Sequence, residues 1–289
     1  MSYDGHITLG NGYKLWYRIA GQGSGTPLLL LHGGPGAGHD YLEPLEALSA
    51  DRPVVFFDQL GCGRSDQPDD PTLWTVERFC DEVDEVRDAL GLTECHVLGQ
   101  SWGGWLAIEW LLRRPKGVKS AVLASTSSST RQFVTEAQRL IGQMSEADRE
   151  ALRIHGAAGA YDHPDYLSAM ETFYRLHVCR LPDWPDCLNR TVANLDGNQV
   201  YMTMNGPNEF TVIGNLKDWD RTDRLHEIDE PVLITVGRHD EITPVCSETM
   251  HQRLPESRVV IFEDSAHCAH IEEPERYCAV VAEFLREHD

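Results

Sequence analysis

Basic residues are scarce in this 289-residue chain. Lys and Arg number 25 against 46 Asp and Glu, a net charge of −21. That deficit argues against nucleic acid or an anionic membrane surface as partner, because both are held mainly by cationic side chains. It leans mildly towards cationic substrates, and it serves solubility equally well, since salt screens surface charge beyond about 10 Å. Long apolar runs are missing too. A bilayer-spanning helix needs roughly 18–20 apolar residues, and the longest helix-like apolar stretch, residues 102–112, is shorter and carries Glu109. The first residues, M-S-Y-D-G-H, lack a basic region followed by an apolar one, so no signal peptide is expected. Eight cysteines are scattered without a C-x-x-C pair. Without a leader that pattern predicts free thiols in a cytoplasmic protein. Cys268 beside His267, with His270 beyond, matches no closed zinc spacing, and no metal is expected there. Repeats, low-complexity segments and flexible linkers are also lacking.

Enough remains to build a large core: 41% of residues are hydrophobic and 25% are charged. Residues 14–19 read as an early strand. Leu28 to Leu31 and Val54 to Phe57 are short continuous apolar runs, as expected of strands buried on both faces. Residues 76–90 place Val76, Phe79, Val83, Val86 and Leu90 at helical spacing, with Gly91 as a stop. Residues 96–98 and 121–124 are further strands, and residues 102–113 a helix ended by Pro115. From about Thr130 to Arg221 the buried-strand runs cease; helix-like pieces (133–144, 165–177) and loops such as L-P-D-W-P replace them. Alternation then resumes with strand 231–236, helix 245–254, strand 259–262 and helix 274–285. This order predicts a mostly parallel α/β sheet with helices on both faces and an inserted helical cap. The expected division is 1–128 and 223–289 for the sheet domain and 129–222 for the cap.

The chemistry centres on G-Q-S-W-G-G, residues 99–104. A G-x-S-x-G string between a strand and a helix puts its serine on a sharp turn above the sheet edge, where a nucleophile is needed. Ser101 needs a base, and the base an acid to orient it. Partners on such a sheet follow in the order Ser, acid, His. Asp240 lies just beyond the strand ending at Val236, and His267 beyond the strand ending at Phe262, so both loops leave the C-terminal edge where ligands bind. Glu241 and Asp264 compete for the acid's place and His270 for the base's; His96 and His239 read as structural or exposed. Two N–H donors must hold a tetrahedral oxyanion. The backbone of Trp102, after the nucleophile, supplies one; the H-G-G-P-G loop, residues 32–36, supplies the other, at Gly34.

H-G-G-P-G, D-Q-L-G-C-G-R-S (58–65), G-Q-S-W-G-G, G-P-N-E-F (206–210) and G-R-H-D-E (237–241) together resemble the proline iminopeptidase, or prolyl aminopeptidase, family of α/β-hydrolases. The likeness runs through nearly the whole chain and is weakest in the cap. It implies an α/β-hydrolase fold, a Ser101–Asp240–His267 triad, a Gly34 and Trp102 oxyanion hole, and no metal or organic cofactor. It further implies a serine aminopeptidase that releases an N-terminal residue, often proline, from a small peptide or aminoacyl amide. One departure is Gln100, where the family commonly has glycine; it reads as local packing.

The resemblance also gives a use for the second acid of G-R-H-D-E. An aminopeptidase must recognise a free cationic N-terminus, and carboxylates near the scissile bond do so. Glu241 and Glu209 stand where the family places two such glutamates. Competing readings make Glu241 a solvated loop acid and Glu209 the partner of Arg221 or Arg224. Phe133, Tyr174, Trp184 and Tyr201 are candidate pocket walls or cap packing; Trp105 reads as core. An amino-acid amidase, esterase or lactonase with the same triad is the alternative activity. A dehalogenase or epoxide hydrolase would need Asp at position 101.

Overall fold

The computed structural model describes residues 2–289. Eight strands form one sheet: β1 (Ser2–Thr8), β2 (Lys14–Ala20), β3 (Leu28–Leu31), β4 (Val54–Phe57), β5 (Cys95–Gln100), β6 (Val118–Ala124), β7 (Val232–Gly237) and β8 (Ser257–Phe262), in the order β1-β2-β4-β3-β5-β6-β7-β8. The β1–β2 and β2–β4 pairings are antiparallel; every pairing from β4 to β8 is parallel. The short apolar runs sit at its centre. Leu29, Leu31, Val55, Phe57 and Val97 face one core cluster, and their neighbours Leu28, Leu30, Val54, Phe56 and Leu98 face another. Side chains alternate across a strand, so a strand buried on both faces needs apolar residues at every position, which is what the uninterrupted runs provide.

Helices α1 (Val76–Leu90), α2 (Trp102–Leu111), α8 (Pro244–His251), α9 (Ala269–Glu272) and α10 (Pro274–Glu287) accompany the sheet, as does a 3₁₀ segment at Asp40–Ala50. The α1 helix matches the expected residues 76–90. Its start is capped by the Thr75 side chain accepting from the Arg78 N–H, and Gly91 ends it in the left-handed conformation at φ 65°. Between β6 and β7 the chain makes five more helices: α3 (Thr130–Ile141), α4 (Glu146–Ala157), α5 (Pro164–His177), α6 (Asp186–Leu195) and α7 (Gln199–Met204). Three of these were not expected from the sequence, nor was β1. The chain enters and leaves this helical segment through a narrow neck, where Ser129 and Asp220 form an antiparallel bridge. We propose 129–222 as the cap on that geometry. Asn194 donates to the Ala37 carbonyl and Asn198 to the Gly61 carbonyl, at 3.1 and 2.9 Å, so α6 and the α6–α7 turn sit on the loops after β3 and β4. Arg190 adds ion pairs to Asp40 and Glu43. Among the described residues no helix is long and apolar enough to cross a membrane. All eight cysteines are free thiols.

Candidate active site

Ser101 stands between β5 and α2 with φ 57° and ψ −124°, a conformation rare for a residue with a side chain. Three features hold it there. Its N–H donates to the Ala124 carbonyl at 2.9 Å, its carbonyl accepts from the Thr126 hydroxyl at 2.8 Å, and the flanking glycines permit backbone contact. A Cβ on Gly103 would overlap the Leu31 carbonyl, and one on Gly99 would overlap Gly103. The helix can therefore start against the strand only with glycine at both places.

The loops after β7 and β8 bring Asp240 and His267 together. His267 Nδ1 and Asp240 Oδ1 are 2.8 Å apart, and Asp240 Oδ1 also accepts from the Ile242 N–H at 2.8 Å. Nδ1 therefore donates, leaving Nε2 as the free face of the ring. His267 and Ser101 line one cavity of about 600 Å³. No hydrogen bond joins Ser101 Oγ to the His267 ring; such bonds are often loose before substrate arrives. Burial works to keep His267 neutral, but the Asp240, Glu241 and Glu209 carboxylates outweigh it and push its pKa up to about 9. The competing residues lie elsewhere. His270 Nε2 donates to the Tyr41 carbonyl at 3.0 Å, and burial pulls its pKa down to about 4. Asp264 is exposed. His96 is buried against Ser120 and Asp289, a structural place as expected.

The Gly34 and Trp102 N–H groups have no backbone or side-chain acceptor among the described residues, and both residues border Ser101 in a small recess. Gly34 has φ 108°, and a Cβ there would fall 2.6 Å from the Gly36 nitrogen. Gln59 ties the two sides of this recess. Its N–H donates to His32 Nε2 and its amide to the His32 carbonyl, both at 3.0 Å, while its Oε1 accepts from the Trp102 indole at 2.9 Å. This gives D-Q-L-G-C-G-R-S a positioning task that its sequence did not reveal.

Glu241 is 1% exposed, not the solvated loop acid of the competing reading. Its Oε2 is buried without a partner among the described residues. Glu209 accepts from the Tyr201 hydroxyl at 2.8 Å and lines the same cavity as Glu241, Ser101 and His267. Neither arginine proposed as its partner reaches it: Arg221 pairs with Glu109 at 2.6 Å and Arg224 with Glu227 at 2.8 Å. Burial raises the pKa of both glutamates, and the charge of Glu209 raises Glu241 further. Glu241 is buried and Glu209 half-buried, and among the described residues no lysine or arginine pairs with either, so their nearest positive charge is the His267 ring.

Several supporting residues escaped the sequence reading. Gln100 is not mere local packing. Its Oε1 accepts from the Tyr41 hydroxyl at 2.5 Å and its amide donates to the His267 carbonyl at 3.2 Å, while Tyr41 accepts from the Gly33 N–H at 2.7 Å. One chain of bonds thus links the H-G-G-P-G loop to the histidine loop. The His177 carbonyl, at the end of α5, accepts from both the Glu241 and His267 N–H groups at 3.2 Å. Tyr174, Trp184 and Tyr201 line the cavity, and Phe133 lines the recess. Trp105, expected as core, is in the core and also walls the recess, stacked on Trp219 at 5.0 Å. Among the described residues, the two groupings of side chains close enough to share an ion, His155/His163/Asp165 and His39/Asp40/Glu43, include neither His267 nor Cys268.

An eight-stranded, mostly parallel sheet bearing a strained serine at a strand–helix turn defines an α/β hydrolase, and residues 26–274 match the family described as alpha/beta hydrolase fold. A proline iminopeptidase of Heyndrickxia coagulans is 40% identical over 285 residues, covering 99% of each chain. The crystal structure of a proline iminopeptidase from Mycobacterium smegmatis superposes with a TM-score of 0.92 at 40% identity, covering 99% of this chain and 98% of that one. The crystal structure of VinJ superposes at 0.96 with 39% identity over 99% of both. The chain belongs to the proline iminopeptidase family.

Proposed function

We propose that the protein is a serine aminopeptidase that releases an N-terminal residue, proline or another small or hydrophobic one, from a small substrate with a free amine. The observation that carries this reading is the pair of glutamates on the serine's cavity, Glu241 buried and Glu209 half-buried, with no lysine or arginine beside them among the described residues. An ester hydrolase has no use for Glu209 and Glu241; an enzyme for a free N-terminus does. Their family positions and the names of the relatives support it.

In this reading the substrate ammonium sits between Glu209 and Glu241, which fixes the neighbouring carbonyl over Ser101. The carbonyl oxygen takes the unpaired N–H groups of Gly34 and Trp102. Ser101 Oγ attacks, and His267 Nε2 removes its proton while Asp240 stabilises the imidazolium. Negative charge grows on the oxygen, where each N–H donor is worth about 3 kcal/mol. The tetrahedral carbon then expels the amine, which leaves with the proton from His267. Water, deprotonated by the same histidine, cleaves the Ser101 ester and frees the amino acid.

The test is a panel of aminoacyl p-nitroanilides, proline and alanine included, with N-acetylated counterparts and Ser101→Ala as blank. Turnover of free-amine substrates alone supports the reading. Absence of turnover on every free-amine substrate overturns it.

A further inference from the structure

Beyond the serine, the 600 Å³ cavity is much larger than its catalytic corner, in the size range of sites for drug-like molecules. Its far walls are Met170, Val178, Leu188, Val192, Leu195 and Met202. Val192 and Met202 are 47% and 52% exposed, so the apolar surface continues onto the rim. Among the described residues no lysine or arginine lines the cavity; its ionisable walls besides His267 and Cys268 are Tyr41, Tyr174, Tyr201, Asp196, Glu209 and Glu241. Arg190, which neighbours lining residues in the chain, is committed to Asp40, Glu43 and Asp186. Arg175 donates to the Pro182 carbonyl and lies over the Trp184 ring at 4.8 Å. A carboxylate on the leaving group would thus enter a cavity whose one cationic group, His267, is already paired with Asp240, past an exposed Asp196, in a protein of net charge −21.

From this lining we infer that the leaving group is an uncharged, apolar amine: the substrate class is an aminoacyl amide of a hydrophobic amine, or a peptide with a blocked C-terminus, and not a dipeptide acid. This rests on the aminopeptidase reading and extends it to the other side of the scissile bond. An apolar amine buries surface against Leu188 and Val178, whereas an unpaired carboxylate must be desolvated with no compensating partner.

The experiment compares prolyl and alanyl derivatives of leucine, leucinamide and n-hexylamine by chromatographic release of the amine. The hexylamide and leucinamide are expected to exceed the leucine acid in kcat/KM by about tenfold or more, mainly through KM. Val192→Lys, at the exposed rim, should narrow the acid-to-amide gap by supplying the missing cation. A leucine acid cleaved within about twofold of its amide overturns the inference and leaves the aminopeptidase reading intact. Failure of all free-amine substrates overturns both.

Discussion

The side-chain amide of Gln100 donates to the backbone carbonyl of His267 at 3.2 Å, across 167 positions of sequence. Through Tyr41 the same side chain reaches Gly33. The residue before the serine therefore ties the histidine loop to the H-G-G-P-G loop. Gln100→Met, similar in volume, breaks both bonds. It should lower kcat about tenfold or more with little change in KM, the pattern of misplaced groups. Gln100→Glu keeps an acceptor for Tyr41 and should recover part of the loss. Steady-state kinetics on one anilide, with the melting temperature as control, separates positioning from plain instability.

The pH profile should report the carboxylates. In the proposed mechanism His267 must be neutral to accept the serine proton, and the carboxylates around it push its pKa up to about 9. On a neutral ester, kcat/KM should rise with pH up to about that value. Glu241→Gln removes one negative charge that holds the proton on His267, so the acid limb should move to lower pH. A cationic substrate between the glutamates acts in the same direction: the limb of kcat should lie below that of kcat/KM. An acid limb unmoved by Glu241→Gln contradicts this coupling.

Stability should fail first at the glycines of the strand–helix turn. Gly103→Ala forces a methyl group into the Leu31 carbonyl, where backbone lines both sides. A loss of at least about 1–3 kcal/mol in denaturant unfolding is expected. By contrast Gly197→Ala, where a Cβ meets nothing within 4 Å, is limited to the strain of φ 66°.

Legibility in the sequence followed locality. The strands at Leu28 and Val54 were readable because burial on both faces needs a continuous apolar run. Ser101, Asp240 and His267 stand out as candidates because each follows an apolar run that ends at the C-terminal edge of the sheet. The first strand was missed because only Ile7 of its seven residues is buried, leaving no alternation to see. Helix α4 buries Leu152 alone, too little for an apolar stripe, whereas the α6 stripe of Leu188, Val192 and Leu195 lines the cavity instead of a core. Glu209 was found through family resemblance, since nothing in spacing connects it with Glu241. Gln59, Gln100 and His177 act through contacts between distant segments, and such contacts leave no periodic trace.

The central claim is that Glu209 and Glu241 together bind the substrate amine beside Ser101. The direct measurement is kcat/KM of Glu209→Gln and Glu241→Gln on prolyl p-nitroanilide and on p-nitrophenyl acetate, each at its pH plateau. Removing one partner of a buried charged pair costs roughly 2–5 kcal/mol, so each variant should lose about a hundredfold or more on the anilide and stay near the parent on the acetate. Parental activity on both substrates, or an equal loss on both, would contradict the account.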